Sequence, residues 1–384
     1  MANTLTGLIP DLYAGLDVVS RELVGFAPAV GRNFSADRAA VGQNITYHVA
    51  PAGNVGNVTP AMAVPNTTDQ AIAAPTMTIS KSRFSEFGFT GEEQKGLNTG
   101  PGYPSVQADI FAQSLRALIN ELETDVAVAA AAGASRAYVA TNLFSANTDG
   151  ISGVNKILLD NGAPLSDKHL IVDTTAGASL RTLYAINDDR DWSRVPMSQQ
   201  GVLISPHGIA TRESAQIVSH TKGTAANSTT DAAGYAVGDT TITLASAGTG
   251  TIVAGDIVQF DGDTNWYVVV TGDADVSGGG SIVIAEPGLR VAIVGATAIT
   301  VGASYSANVA FFRGAIQLAT RAPALPQEGD LAIDRMMLTD PRSGITFEVA
   351  TYPGYRKVRY EVSLAWGFKV TQSRHVALLV NNPS

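Results

Sequence analysis

The sequence predicts an α+β fold with a small β-barrel domain inserted late in the chain, and three segments carry that prediction. Residues 105–132 have the apolar spacing of one long helix. Residues 170–186 read as a short apolar strand followed by a helix, which makes an α/β unit. Residues 220–305 alternate short apolar runs with turn residues and show no helical pattern, as is typical of a small barrel or sandwich.

Composition restricts what this chain of 384 residues can do. Hydrophobic residues make up 45% and charged residues 15%, which favours a folded protein with a sizeable core. The net charge of −9 opposes tight binding of nucleic acid by the whole surface. There is no Cys, which excludes disulfides, thiolate metal sites and Cys nucleophiles.

Neither a signal peptide nor a membrane partner is expected. The sequence up to Phe26 lacks the basic segment and the uninterrupted apolar run of a signal peptide. The longest apolar run, Val126–Gly133, is too short to span a bilayer.

Residues 1–40 are predicted to form an N-terminal arm. Apolar residues recur there at three- and four-residue steps, at Leu8, Leu12, Leu16, Val19 and Leu23. This spacing gives an amphipathic helix with a narrow apolar stripe, which has to be buried against something else. Leu12 and Leu16 are therefore candidate contacts with another subunit.

Residues 41–103 are unusual for a compact domain. Four prolines, at positions 51, 60, 65 and 75, lie in a segment with few apolar residues, flanked by strand-like alternation. Two strands alone are marginally stable in water, so we expect this long segment to pack on another molecule. The candidate contacts are the alternating apolar residues Tyr47, Val49, Met77 and Ile79.

The long helix at 105–132 is the clearest element. Its stripe consists of Phe111, Leu115, Leu118, Leu122, Val126 and Ala129. At a rise of about 1.5 Å per residue, a helix of this length crosses a whole domain. The segment from Gly344 to Val370 is predicted to form about three strands that return to a sheet beside this helix.

No catalytic or metal motif emerges from the sequence. The five His are far apart, and His207, which is predicted to lie near Glu213, is better read as structural. The acidic stretch at 188–191 contains Arg190 and reads as a solvated loop. A hydrolase that uses Asp188, Asp189 or His207 would lack an activated nucleophile. We therefore expect no enzyme activity and no cofactor.

A calcium loop is one interpretation of the oxygen ligands at Asp261, Asp263 and Asn265. Such a loop needs Gly at its sixth position and Glu at its twelfth, where this chain has Trp266 and Gly272. Asp-Gly between two apolar alternations is instead a strong signal for a β-hairpin. We expect a tight turn and no metal.

The order of these segments resembles that of the major capsid proteins of tailed bacteriophages, which have the Hong Kong 97-type fold. Because of the inserted β-domain, the sequence resembles in particular the coat proteins of short-tailed Salmonella phages. Three stretches carry it: GDIVQFDGDTNWYVV at 255–269, NVAFFRGAIQLATRAPALP at 308–326 and VRYEVSLAWGFKVTQSRHVALLV at 358–380. None of them is a catalytic signature.

The resemblance implies a division of the whole chain. The segments are an N-terminal arm at 1–40, an extended loop at 41–103, a spine helix and peripheral domain at 104–140, an axial α/β domain at 141–219, an inserted β-domain at 220–305, and a return to the axial and peripheral domains at 306–384. The inserted segment has eight acidic and two basic residues. We expect it to fold alone and to lie on the exterior of a shell.

The resemblance also implies a function. The chain would be made in the host cytoplasm and would assemble with itself, as hexamers and pentamers, into the icosahedral capsid of a virion. That shell would enclose double-stranded DNA without sequence-specific binding. Scaffolding protein and portal are the implied partners during assembly, and a decoration protein is a further candidate. The alternative is a strand-rich tail or decoration protein, which would have no need of the spine helix.

Overall fold

A computed structural model describes residues 24–34, 37–47, 60, 74–97, 103–187, 206–339 and 345–381. Within these ranges the helices are α1 (Gly91–Leu97), α2 (Tyr103–Ala132), α3 (Asp149–Asp160) and α4 (Thr174–Asn187). The strands of the first half are β1 (Gly31–Phe34), β2 (Asn44–Thr46), β3 (Thr76–Thr78), β4 (Lys81–Thr90), β5 (Arg136–Ala140), β6 (Lys168–Val172), β7 (Ala210–Glu213) and β8 (Ser219–His220).

The remaining strands lie in the second half of the chain. They are β9 (Thr241–Leu244), β10 (Ile257–Phe260), β11 (Trp266–Thr271), β12 (Gly280–Ile284), β13 (Ile299–Val301), β14 (Tyr305–Ser306), β15 (Asn308–Phe312), β16 (Ile316–Arg321), β17 (Asp334–Thr339), β18 (Thr346–Gly354), β19 (Lys357–Val370) and β20 (Val376–Asn381).

The predicted long helix is confirmed as α2, which begins at Tyr103, two residues before the predicted start. The predicted stripe is buried except at Ala129, which is half-buried. The stripe packs in one core with strands of a six-stranded sheet of order β1-β16-β19-β18-β17, in which β4 also pairs with β19. Trp366 in β19 is fully buried there, as its strand-like context predicted.

The α/β unit is confirmed as β6 followed by α4. These elements belong to a second sheet, of order β13-β10-β11-β5-β20-β15-β6-β7. Helices α3 and α4 cover one face of it and form a core with Leu170, Val172 and Leu379. Ile171 and Phe311, which alternate with these residues, join the core that contains α2. The second sheet is thus buried on both faces.

All five strands predicted within 220–305 form, and they enclose a separate core. This core contains Ile242, Phe260, Tyr267 and Ile282. However, β11 also pairs with β5, since Trp266 is opposite Ala137 and Tyr267 is opposite Arg136. The segment therefore continues the second sheet of the body, and its ability to fold alone stays a prediction.

The Asp-Gly turn is confirmed as the connection between β10 and β11. Gly262 has a φ of 82°, which a glycine adopts without strain. The Asp263 carboxylate is used inside the hairpin, because Oδ1 accepts a hydrogen bond of 2.9 Å from the Asn265 backbone N–H and Oδ2 accepts one of 2.6 Å from the Tyr267 hydroxyl.

The tail differs from its prediction in one respect. The segment predicted as about three strands forms two long ones, β18 and β19, which pair from Glu348–Ser363 to Gly354–Lys357. A single strand of 14 residues continues through the point where a break was expected, because its two halves pair with different neighbours, β18 and β16. As predicted, this sheet lies beside the long helix.

Several predictions fall outside the described residues, namely the arm helix with Leu12 and Leu16, the contact at Val49, and the acidic stretch at 188–191. In the described ranges, no helix has the length and apolar character needed to cross a membrane.

Candidate functional site

The base of the 41–103 segment is packed on its own chain. Strands β2 and β3 form a hairpin in which Ile45 is opposite Met77. Met77 and Ile79 are 1% and 0% exposed, in a cluster with Ala319 of β16 and Ala365 of β19. The sheet of the same chain already buries them, so their role as inter-subunit contacts stays a prediction.

The fit between this hairpin and the sheet is close. The Thr78 carbonyl lies so near the backbone at Gly367 that a Cβ there would have no room. Tyr47 lies at the margin of the cluster and is half-buried, and burial raises the pKa of its hydroxyl. Of the six predicted contacts, Tyr47 is the one described residue that keeps exposed surface.

The strand that leaves the hairpin is tied to α2 by charge. Lys81, the first residue of β4, donates hydrogen bonds of 2.9 Å to Glu121 Oε1 and to Asp125 Oδ1. Asp125 Oδ2 in turn accepts a 3.0 Å bond from Trp366 Nε1. The hydrogen bond to Asp125 is the largest of the effects that raise the pKa of Lys81. Its amine is therefore held as a cation rather than as a nucleophile.

The described part of the predicted arm is held by a buried acid on α2. Glu123 is 1% exposed, and its carboxylate accepts bonds from the backbone N–H groups of Phe26 (3.0 Å) and Ala27 (2.6 Å) and from the Ser214 hydroxyl (3.3 Å). Burial raises the pKa of this carboxyl, although these donors oppose the shift. Glu123 fixes where residues 24–30 enter the body.

Exposed apolar residues concentrate at the free edge of the six-stranded sheet. Strand β17 ends the strand order and, among the described strands, pairs only with β18. Leu331, Ile333 and Met337 are 86%, 44% and 44% exposed, and we call these three residues the β17 edge. The sequence prediction missed them, although their period of two in the sequence LAIDRMM was a visible signal.

Ion pairs and hydrogen bonds of the same chain hold the residues around the β17 edge in place. The buried Glu348 carboxylate receives both Arg38 guanidinium nitrogens, at 2.7 and 2.9 Å, and Arg335 Nη1 at 3.1 Å. Arg335 also pairs with Asp330, which accepts a 3.0 Å bond from the Tyr352 hydroxyl. Burial, followed by this bond, raises the pKa of Tyr352 to about 12. The loop before β17 is thus held by charge-assisted bonds.

The predicted catalytic candidates do not come together. His207 Nε2 lies 3.0 Å from the Thr148 hydroxyl, whereas Glu213, its predicted neighbour, accepts a bond from Arg181 Nη1 at 2.5 Å. The described ranges contain no group of three residues that could hold a metal ion. Asp188 and Asp189 lie outside them.

A cleft of about 440 Å³ lies beside the N-terminus of α4. Two of its titratable side chains are engaged in the fold. Asp173 Oδ1 accepts a 2.6 Å bond from the Ala176 N–H, as a helix cap does, and His220 Nε2 lies 2.8 Å from Asp256 Oδ1. This arrangement offers structural bonds rather than an activated nucleophile.

Comparison with known proteins gives only distant likenesses. No protein-family model and no curated protein matches the chain. Among solved structures, a capsid of the cyanophage P-SCSP1u is 11% identical with a TM-score of 0.46, and covers 93% of this chain and 87% of its own. A structure from Mycobacterium phage Che8 is 13% identical with a TM-score of 0.41, and covers 88% and 84%.

A virus-like particle from Pyrococcus furiosus is also similar. It is 9% identical with a TM-score of 0.40, and covers 97% of both chains. Identities and TM-scores this low do not by themselves establish a shared function.

Proposed function

We propose that this chain is a major capsid protein that assembles with itself into a closed shell. The observation that carries the proposal is the β17 edge, an exposed apolar strip at and just before a strand that, among the described strands, pairs on one side only. Edge strands of soluble monomers usually carry charged residues or Pro, or are covered by another element, because an edge without these features pairs with other chains. An edge left apolar is expected in a protein that other subunits cover.

The support of that edge favours the same proposal. Asp330 in the preceding loop is held to the sheet by Arg335 and Tyr352 of the same chain. An interface that is already ordered loses less conformational entropy on association than one that has to fold. Since each subunit of a shell makes several contacts, even a modest gain at one edge adds to a cooperative assembly.

The order of elements supports the proposal independently. A hairpin, a 30-residue helix, an α/β unit, a β-rich segment and a returning sheet follow one another along the described chain. This is the order in the major capsid proteins of tailed phages that the sequence resembles. We extend the proposal to the finer points of that resemblance: the short-tailed Salmonella type, the six segments, the icosahedral shell, the scaffolding and portal partners and virion location.

Electron microscopy of the purified protein tests this function. We expect closed shells from the unaltered chain expressed with its neighbouring genes. Leu331→Asp should abolish them while changing the free energy of unfolding of the subunit by less than about 0.5 kcal/mol, because this side chain is 86% exposed.

Val294→Asp is the matched control. Val294 is 92% exposed but lies in the inserted segment, so the shells should persist. Open tubes from the unaltered chain would indicate a tail protein instead. Soluble monomers under all conditions, or equal loss of shells in the control, would contradict the proposal.

A further inference from the structure

Three side chains with nitrogen donors meet at the β7 side of the second sheet. His169 of β6 is opposite Phe311 of β15, and Ile171 of β6 is opposite Arg212 of β7. Because paired residues share a face and a strand alternates, the positions of His169 and Arg212 lie on the same face, and Arg313, just after β15, lies with its Nη2 3.4 Å from His169 Nε2. Lys168 lies on the other face, where its Nζ donates to Asn155.

Each of these three side chains has a buried nitrogen without a partner among the described residues. The atoms are His169 Nδ1, Arg212 Nε and Arg313 Nε. Buried polar atoms are normally hydrogen-bonded, so three orphans in one place require an explanation. Arg136 also has such an atom, but its other nitrogens donate to Asn265 and Asn161.

All three orphan atoms are donors. Arg313 Nη2 lies 3.4 Å from His169 Nε2, and since a guanidinium can only donate, Nε2 accepts. The hydrogen of the neutral ring is therefore on Nδ1, which becomes a donor. The two arginine Nε–H groups are donors in any case. Apart from His169 Nε2, the polar side-chain atoms of these three residues are therefore donors.

Among the described residues, Asp167 is the one acid whose charge acts on His169, and its effect is the smallest of those on that ring. Burial, then Arg313, then Arg212 lower the pKa of His169 to about 4, so the ring is neutral at pH 7. Burial and the charge of Arg313 lower the pKa of Arg212 as well. The nearby acid, Asp167, has an exposed side chain and meets the cluster through its backbone carbonyl, which accepts from the Arg313 N–H at 3.0 Å.

We propose that Arg212, Arg313 and His169 form a binding site for a phosphate group. The unprotonated oxygens of a phosphate group accept hydrogen bonds, and guanidinium groups match it in charge and geometry. Phosphate reaches a protein as the free ion or as part of nucleic acid. The half-buried position of both arginines and the net charge of −9 favour the small ion over a polyanion.

Equilibrium dialysis with inorganic phosphate tests the site on the full chain. We expect one phosphate bound per chain, and a rise of the Tm by about 2 °C at tenfold excess over Kd relative to chloride at the same ionic strength. Arg212→Gln should weaken binding at least tenfold, whereas Arg290→Gln, which removes an exposed arginine of the inserted segment, should leave it unchanged.

Two further measurements test the site if the first variant is uninformative. If Arg212→Gln fails to fold, Arg212→Lys keeps the charge and should still weaken binding, because it removes the planar fork. In the unaltered chain the ¹⁵N shift of His169 Nδ1 should move on adding phosphate. The proposal is overturned if no phosphate binds, if Arg212→Gln binds it unchanged, or if a short single-stranded oligonucleotide displaces it at equal concentration.

Discussion

Two margins of the six-stranded sheet carry alternating apolar residues, and these residues are buried at one margin and exposed at the other. At the hairpin base, Met77 and Ile79 are at most 1% exposed, because β16 and β19 of the same chain cover them. At the β17 edge, Leu331 is 86% exposed and Ile333 and Met337 are each 44% exposed. The sequence patterns at the two margins are alike, but only the β17 edge has apolar surface that a neighbouring subunit could cover.

The difference shows what a period of two can and cannot reveal. Alternation identifies a face that is buried somewhere, and it does so correctly at both margins if the β17 edge is covered in a shell. It does not reveal whether the covering core belongs to the same chain. Whether each margin stabilises the subunit or the assembly is therefore a matter for mutation.

The largest expected effect is on subunit stability at the hairpin base. Ile79→Ala should lower the free energy of unfolding by about 3 kcal/mol, since it removes a fully buried side chain and leaves a cavity. Urea denaturation of the unassembled subunit measures this. The matched variant Ile333→Ala, at the β17 edge, should cost less than about 1 kcal/mol. Equal costs for the two would remove the contrast between the margins.

A smaller effect on the free energy of unfolding is expected where β4 follows the hairpin. Asp125→Ala should cost about 2 kcal/mol, because it deprives both Lys81 and the buried Trp366 indole of an acceptor. Glu121→Ala serves as the control. Glu121 is 36% exposed and contacts Lys81 and Arg83, so its loss should cost under about 1 kcal/mol. A larger cost at Glu121 would mean that the surface pair, not the indole bond, holds this strand.

The smallest effect is a pH dependence at the root of the arm. Burial raises the pKa of Glu123 above its ordinary value, so folding favours the protonated carboxyl. Its contribution to stability is therefore fully present below about pH 4.3 and is lost as pH rises through the raised pKa. The slope cannot exceed about 1.4 kcal/mol per pH unit.

Comparison with Glu123→Gln measures that dependence. The free energy of unfolding of the unaltered subunit, minus that of the variant, should fall as the pH rises above about 4.3 in urea titrations. A difference that rises over this range would mean that the Phe26 and Ala27 N–H groups outweigh burial.

Local patterns gave most of the elements. The stripe of α2, the strands within 220–305 and the Asp-Gly hairpin were predicted because each depends on residues close in sequence. Assignments that depend on distant partners could not be made from local patterns. Met77 was assigned to a neighbour because β16 and β19 lie more than 200 residues away in the sequence.

The polar sites were harder still to predict. Glu123 follows an apolar stripe residue, and nothing local indicates that the backbone N–H groups of Phe26 and Ala27 converge on it. Likewise His169, Arg212 and Arg313 become neighbours only through the pairing of β6 with β15 and β7. Charge clusters of this kind follow from topology rather than from a motif.

Hydrogen–deuterium exchange of free and assembled protein tests the central claim most directly. The account predicts that amides of residues 331–339 exchange much more slowly after assembly, because a neighbouring subunit covers the β17 edge. Amides of residues 76–79 should be protected equally in both states, because their own chain already buries Met77 and Ile79. Protection that appears at 76–79 but not at 331–339 on assembly would contradict it.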